Sequence, residues 1–88
     1  MALFVLSYDL RNDRNYQPLY DELKKFNAER VLESCWCFKR INTNAEGLRN
    51  YFSRFIDEDD GLWISQIAEI NRVPQWAGQN LDGNPNQL

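Results

Sequence analysis

The sequence predicts a single small α+β domain, because strand and helix patterns alternate along a chain long enough for only one core. The chain has 88 residues, of which 43% are hydrophobic and 14% aromatic. A domain of this size is only marginally stable alone. We therefore expect part of its large aromatic surface to lie in an interface between subunits.

The predicted elements follow from hydrophobic spacing. Residues 2–9 are apolar on both faces, which is typical of a strand covered on two sides. Apolar residues then recur at helical spacing after the polar loop LRNDRN, and again after the sequence TNAE, which fits a capping box. The pattern predicts strands at residues 2–9, 29–41 and 62–70, the second bent into a hairpin near Ser34, and helices at about 16–27 and 43–56.

This order, βαββαβ, is typical of a ferredoxin-like sandwich, in which an antiparallel sheet carries two helices on one face. The other face would be bare, and we expect a second copy of the chain to cover it, making a homodimer. The domain is predicted to span residues 1–73. Residues 74–88 are rich in Gly, Pro, Asn and Gln and predict a flexible tail, in which Trp76 docks on the body or on a partner.

The composition excludes several kinds of site. There is no histidine, which excludes Ser-His-Asp and Cys-His nucleophile systems and histidine–metal clusters. Cys35 and Cys37 alternate on a predicted strand and so share a face. We expect both to be buried thiols, with a redox or interchain role as the alternative. An enzyme built on this sequence must use carboxylates, tyrosines, backbone groups or a hard cation.

Charge and hydropathy bear on location and partners. The net charge is −3, so the strongly basic balance typical of nucleic-acid binders is absent. No segment reaches the roughly 18 apolar residues of a membrane helix. The N-terminus lacks the pattern of a signal peptide. We expect a cytoplasmic protein with no membrane partner.

Three segments of the sequence resemble a known family. They are FVLSYDL (residues 4–10), RVLES (30–34) and DDGLWI (59–64). Together they are similar to the small CRISPR-associated adaptation protein that partners the spacer integrase, a family related to virulence-associated protein D toxins. The similarity spans about residues 3–70.

The resemblance implies a function at the end of the first strand. Members of the family form symmetric dimers through the open sheet face, and the first-strand aspartates of the two subunits approach each other. Some members are magnesium-dependent nucleases, and others hold DNA without cutting it. Asp9 matches the aspartate that binds the metal in that family. In contrast, a second acidic position becomes Cys35–Cys37, and an arginine near the last strand is lost.

Asp9 is therefore the candidate catalytic residue and the candidate ligand of Mg²⁺. Such an ion needs only one or two carboxylates, with water and substrate phosphate completing its shell. Two Asp9 side chains at a dimer axis would meet that need. The alternative is that Asp9 hydrogen-bonds the turn that follows it.

Four basic residues are the candidate nucleic-acid contacts: Arg11, Arg14, Lys39 and Arg40. Arginine forks match the oxygens of phosphate groups. The alternative is that all four are solvated charges, with Arg11 and Arg14 paired to Asp13 or Glu58. The acidic run at residues 57–60 is expected to be a solvated helix end rather than a calcium loop.

Two hypotheses follow from these residues. The first is a dimeric, metal-dependent endonuclease acting on RNA or DNA in a defence or toxin setting. The second is a non-catalytic dimeric module that binds a protein or scaffolds nucleic acid. The acidic balance of the chain and its departures from the family favour the second, whereas the position of Asp9 favours the first.

Overall fold

A computed structural model describes residues 1–88 and shows an antiparallel four-stranded sheet with two helices on one face. The strand order is β2-β3-β1-β4, which confirms the predicted ferredoxin-like arrangement. The elements are β1 (Ala2–Asp9), α1 (Gln17–Lys25), β2 (Glu29–Leu32), β3 (Cys35–Arg40), α2 (Ala45–Phe52), β4 (Gly61–Gln66), β5 (Glu69–Ile70) and β6 (Val73–Pro74).

The helices begin close to the predicted positions. Tyr16 occupies the N-cap position of α1, but its side chain makes no capping hydrogen bond. The side chain of Asn15, one residue earlier, accepts from the Gln17 N–H at 3.0 Å. Helix α2 is capped by Asn44, whose side chain accepts from the Gly47 N–H at 2.8 Å. The predicted box began one residue earlier, at Thr43. Asn44 supplies the same kind of oxygen acceptor, and so the cap moves by one position.

The main core lies between the sheet and the helices. Alternate residues of β1 meet the apolar stripes of α1 and α2, as the period-two and helical patterns require. Phe52 of α2 is fully buried among aromatic rings, with centroids 4.9–6.3 Å away. The buried members of this core are Phe4, Leu6, Tyr8, Leu19, Leu23, Trp36, Phe38, Leu48 and Phe52.

The hairpin predicted near Ser34 is present between β2 and β3, with an irregular register between Arg30 and Leu32. Cys35 and Cys37 are free, and they lie on the helix-free face of the sheet. Burial raises the pKa of both thiols, that of Cys37 to about 11 with a further contribution from Cys35. Both thiols therefore stay protonated near pH 7 and pack as small apolar groups.

The last predicted strand is interrupted. Strand β4 ends at Gln66, and Glu69–Ile70 instead pair with Val73–Pro74 in a small separate hairpin. Asn71 and Arg72 join these strands with φ angles of 52° and 66°. Two consecutive left-handed residues form the tight turn that hairpins favour, and this turn ends the long strand that the hydrophobic pattern predicts.

The C-terminal segment, residues 75–88, packs against the sheet. Trp76 and Leu88 contact the buried cluster of Leu3, Val31 and Cys37 on the helix-free face. The Asp82 N–H donates to the Val31 carbonyl at 2.8 Å. The composition of this segment predicts a flexible tail, and in the structure its few apolar side chains cover an apolar patch that would otherwise face water. Trp76 thus docks on the body of the same chain.

None of the helices is both long and apolar enough to cross a membrane.

Candidate functional site

Asp9 lies at the end of β1, an inner strand of the sheet. Its partner in β4 is Gly61. Because side chains alternate along a strand, Asp9 projects on the helix-free side, together with Leu3 and Val5. The C-terminal segment covers the Leu3 end of this face, whereas the Asp9 side chain is 71% exposed. A carboxylate at this position is open to ligands and to a second chain.

Arg11 is the hydrogen-bond partner of Asp9. Its Nε atom donates to Asp9 Oδ2 at 3.1 Å, while its Nη1 atom donates to the Asp59 carbonyl at 2.8 Å. Asp9 thus hydrogen-bonds the turn that follows it, as the alternative expects, but through the Arg11 side chain rather than a backbone N–H. The carboxylate is held by a guanidinium, and that guanidinium also reaches the loop before β4.

The loop before β4 is an acidic clamp, formed by the side chains of Asp57, Asp59 and Asp60. It binds the loop between β1 and α1 through several polar groups. The Asn12 side chain donates to Asp57 and Asp59 at 2.7 and 2.6 Å, and Arg14 forms an ion pair with Asp57. The sequence predicted a solvated helix end here. The carboxylates instead join two loops that are distant in the sequence.

Asp60 is the centre of the acidic clamp. It accepts hydrogen bonds from the backbone N–H groups of Arg11 and Asp57, at 2.7 and 2.8 Å, and from the Tyr16 hydroxyl at 2.8 Å. Partial burial raises the pKa of the Asp60 carboxyl, but these donors outweigh it and the net pKa is lower than usual. Burial and the bond to Asp60 raise the pKa of Tyr16 to about 12. The tyrosine therefore stays a donor and Asp60 stays ionised at neutral pH.

The family profile described as CRISPR associated protein Cas2 matches residues 1–72. The chain belongs to the Cas2 family. Members of this family take part in CRISPR defence, and the resemblance inferred from the sequence is confirmed. No solved structure matches the chain significantly. The matched region ends at residue 72, so the C-terminal segment of this Cas2-family chain, residues 75–88, lies outside it.

The remaining basic candidates lie at the opposite end of the Cas2 domain. Lys39 and Arg40 pair with Leu3 and Ala2, at the start of β1. Ala2 and Asp9 are seven residue steps apart along an extended strand, so their Cα atoms are separated by roughly 23 Å. Lys39 donates to the Leu88 carbonyl at 2.9 Å, and Arg40 lies over the Phe26 ring at 3.8 Å. One chain thus brings Arg11, but neither of these two, next to Asp9.

Tyr8 is part of the core rather than of the site. Its hydroxyl donates to the Glu33 carbonyl at 3.3 Å and accepts from Trp36 Nε1 at 3.2 Å. Burial raises the pKa of this phenol. Tyr8 therefore packs in the core with its hydroxyl bonded to a backbone carbonyl.

Trp63 is an aromatic residue of β4 at the surface of the molecule. It is 69% exposed and pairs with Ser7, two residues from Asp9. Its neighbours Leu62 and Ile64 pack on the helix side, so alternation alone places Trp63 on the helix-free side. A large aromatic side chain therefore lies in the open beside the candidate carboxylate.

The side chains near Asp9 could supply only part of the ligand shell of a hard cation within one chain. No group of three or more His, Cys, Asp or Glu side chains is arranged to hold a metal ion. A single exposed carboxylate is nevertheless the kind of ligand that Mg²⁺ accepts, since the ion keeps several waters and binds phosphate oxygens. Asp9 therefore fits as one ligand of a site that this chain alone leaves incomplete.

Proposed function

We propose that this Cas2-family chain is a homodimeric, Mg²⁺-dependent endonuclease that acts on RNA or DNA phosphodiesters in CRISPR defence. The observation that carries the proposal is the exposed Asp9 carboxylate at the end of an inner strand, on the part of the sheet that no other segment covers. Its one hydrogen-bond partner is the exposed Arg11 side chain, and the rest of the carboxylate faces solvent.

The dimer supplies the second ligand. Two chains that meet through the open ends of their sheets would bring two Asp9 carboxylates to a two-fold axis, where each chain contributes the same patch. Together they would hold Mg²⁺. The chemistry that such an ion would supply is a lowered pKa of a bound water molecule and neutralisation of charge on the phosphate. The sheet positions Asp9 through its pairing with Gly61 of β4, while β3 pairs with β1 only as far as Ser7.

The basic residues would bind the substrate backbone in two groups, one in the loop that follows Asp9 and one at the far end of β1. Arg11 is near enough for the scissile phosphate. Arg14 lies further along the same loop, where it pairs with Asp57. Lys39 and Arg40, at the other end of β1, would contact nucleotides remote from the cut. Arginine forks suit phosphate oxygens, and such contacts position a substrate without reading its sequence.

The test is cleavage of labelled RNA and duplex DNA with Mg²⁺. Asp9→Asn keeps the shape of the side chain but removes its charge, and the rate should fall by about 100-fold or more, the usual scale for losing a central catalytic group. Asp13→Asn is the matched control, because Asp13 is an exposed carboxylate in the neighbouring loop. Cleavage by Asp9→Asn at the wild-type rate, or cleavage that persists in EDTA, would contradict the proposal.

A second function is favoured by one observation. Arg11 and Arg14 are both paired with carboxylates of their own chain, in a protein whose net charge is −3. A non-catalytic dimer that binds a protein or scaffolds nucleic acid needs no free metal ligand. This alternative predicts no change of melting temperature with Mg²⁺, no cleavage, and recovery of one defined partner in pull-downs.

A further inference from the structure

We propose that Arg11 is a positioning residue that holds the Asp9 carboxylate in the absence of a cation and releases it when a divalent ion binds. The freed guanidinium then contacts the phosphate of the substrate. The inference rests on the proposed function, because it concerns the same carboxylate. It adds a residue and a sequence of events that Asp9 alone does not imply.

The backbone of Arg11 is fixed while its side chain reaches across the site. Its N–H donates to Asp60 Oδ1 at 2.7 Å, which anchors the residue to the acidic clamp. Its guanidinium bridges Asp9 Oδ2 and the Asp59 carbonyl. Only one of these three contacts involves the carboxylate of Asp9. That contact can break while the other two keep Arg11 in place.

Gly61 provides the space in which this bridge lies. A Cβ atom at Gly61 would be 3.2 Å from Arg11 Nη2 and 3.2 Å from Asp9 Cβ. Both distances are shorter than ordinary van der Waals contact. The guanidinium therefore crosses the strand at a point where β4 has no side chain, and it stays close to the Asp9 carboxylate.

The contact is weak enough for an ion to replace. The two side chains are 56% and 71% exposed, and exposed ion pairs contribute little to stability. A cation that binds Asp9 Oδ2 would compete with this pair. Removal of Arg11 should therefore strengthen cation binding by about 1.5- to 5-fold, the equilibrium effect of an exposed pair.

Arg14 separates this idea from a general effect on the loop. It carries the same charge on the same loop, but it pairs with Asp57 and does not touch Asp9. If Arg11 acted only by stabilising the loop, Arg11→Gln and Arg14→Gln would change cation affinity alike, whereas an effect of charge alone is tested by Arg11→Lys, which keeps the charge. The proposal requires Arg11→Gln to have the larger effect.

The experiment measures binding of Mn²⁺ alone, by the paramagnetic resonance signal of the free ion, to the full-length chain. Arg11→Gln should bind Mn²⁺ about 1.5- to 5-fold more tightly than wild type, Arg14→Gln should stay closer to wild type, and Asp9→Asn should lose binding. Arg11→Lys, which keeps the charge but lacks the fork, is the second variant and should fall between wild type and Arg11→Gln. Circular dichroism and melting temperature verify that each variant folds.

The outcomes separate the two proposals. Equal affinities for Arg11→Gln and Arg14→Gln, or weaker binding by Arg11→Gln, would overturn the role of Arg11 and leave the Asp9 site intact if Asp9→Asn still loses binding. Wild-type affinity in Asp9→Asn would overturn both. With saturating Mg²⁺, Arg11→Gln should raise KM for the nucleic acid more than it lowers kcat, since Arg11 then contacts phosphate.

Discussion

Asp60 joins the two loops that surround Asp9. Three donors converge on its carboxylate, two of them backbone N–H groups. An ionised carboxylate that accepts several such bonds is stabilised in its charged form, and this outweighs the effect of burial on its pKa. The charge of Asp60 therefore contributes to the stability of the folded state.

The first prediction concerns pH. The pKa of Asp60 in the folded state is below the ordinary value of 3.8. Its contribution is therefore fully present above that value and is lost as the pH falls through the lower, folded value. Asp60→Asn should lower the free energy of unfolding at pH 7, and it should lose less on going to pH 3 than wild type does. Urea denaturation at both pH values measures this.

Asp13→Asn is the control for that experiment, because Asp13 is an exposed residue of the loop that Asp60 holds. It should follow the wild-type pH dependence. An Asp60→Asn variant with the wild-type pH dependence would mean that other carboxylates account for the acid sensitivity.

Residue pairs of this kind were the least predictable part of the site. The sequence identified Asp9, Arg11 and Arg14 as functional candidates, and it gave pairing with an acidic residue as the alternative for the arginines. It named the wrong partners, however. Arg14 and Asp57 are 43 residues apart. Charge patterning indicates pairs only within one helix or turn, whereas these contacts depend on how β4 returns beside β1.

At the scale of elements, α2 carries much of the aromatic core. Phe52 is fully buried and lies against Phe26, Phe38, Tyr51 and Phe55. A residue with this many ring neighbours leaves a large cavity when it is truncated, because close-packed rings relax only partly.

The second prediction follows from that packing. Phe52→Leu should lower the free energy of unfolding by about 1–2 kcal/mol, and Phe52→Ala by about 3–5 kcal/mol, which removes much of the stability of a domain this small. Asn50→Ala, on the exposed side of the same helix, should change it by less than about 0.5 kcal/mol. Urea midpoints give all three values. A loss for Asn50→Ala equal to that for Phe52→Leu would show that helix propensity, not packing, controls the element.

Elements with strong periodicity were predicted well, and the short ones were not. The two helices and the hairpin at Ser34 follow from apolar spacing and polar breaks. Strands β5 and β6 do not, because the apolar pattern runs on through Ile70 and only the backbone angles of Asn71 and Arg72 show the turn. Arginine has little preference for that conformation, so the sequence carried a weak signal.

At the scale of the whole molecule, the C-terminal segment covers the part of the helix-free face that contains Leu3, Val31 and Cys37. Gly83 is the point of closest approach. A Cβ atom there would be 2.6 Å from the Arg30 carbonyl and 2.6 Å from Glu29 Oε1. Because a backbone carbonyl in a paired strand cannot move far, any side chain at residue 83 should push the segment away from β2.

The third prediction uses this contact. Gly83→Val should displace the C-terminal segment and uncover Cys37, which is 3% exposed in wild type. Less burial lowers the pKa of the thiol, and each unit of pKa changes its thiolate fraction about tenfold. Labelling by a disulfide reagent at pH 8 should therefore be roughly tenfold faster or more. Gln79→Ala, an exposed change in the same segment, should label at the wild-type rate.

Composition could not have predicted this cover. Segments rich in Gly, Pro, Asn and Gln usually lack the apolar area needed to fix them to a domain. Here Trp76 and Leu88 are sufficient because the face below them, with Leu3, Val31 and Cys37, is itself apolar. The βαββαβ order was predictable because each half has its own local signals. The location of the last residues depended on which surface remained uncovered.

The Asp82–Val31 hydrogen bond also limits how chains can polymerise. A sheet has two outer strands, and each normally offers unpaired backbone groups to a neighbouring molecule. In this sheet β2 is already occupied at Val31, whereas no strand pairs with the outer side of β4. Strand addition is therefore expected at β4 rather than at β2. A pair of molecules joined through β4 would offer a third only the β2 edges, where the C-terminal segment is already bonded, so we expect such growth to stop at a closed pair.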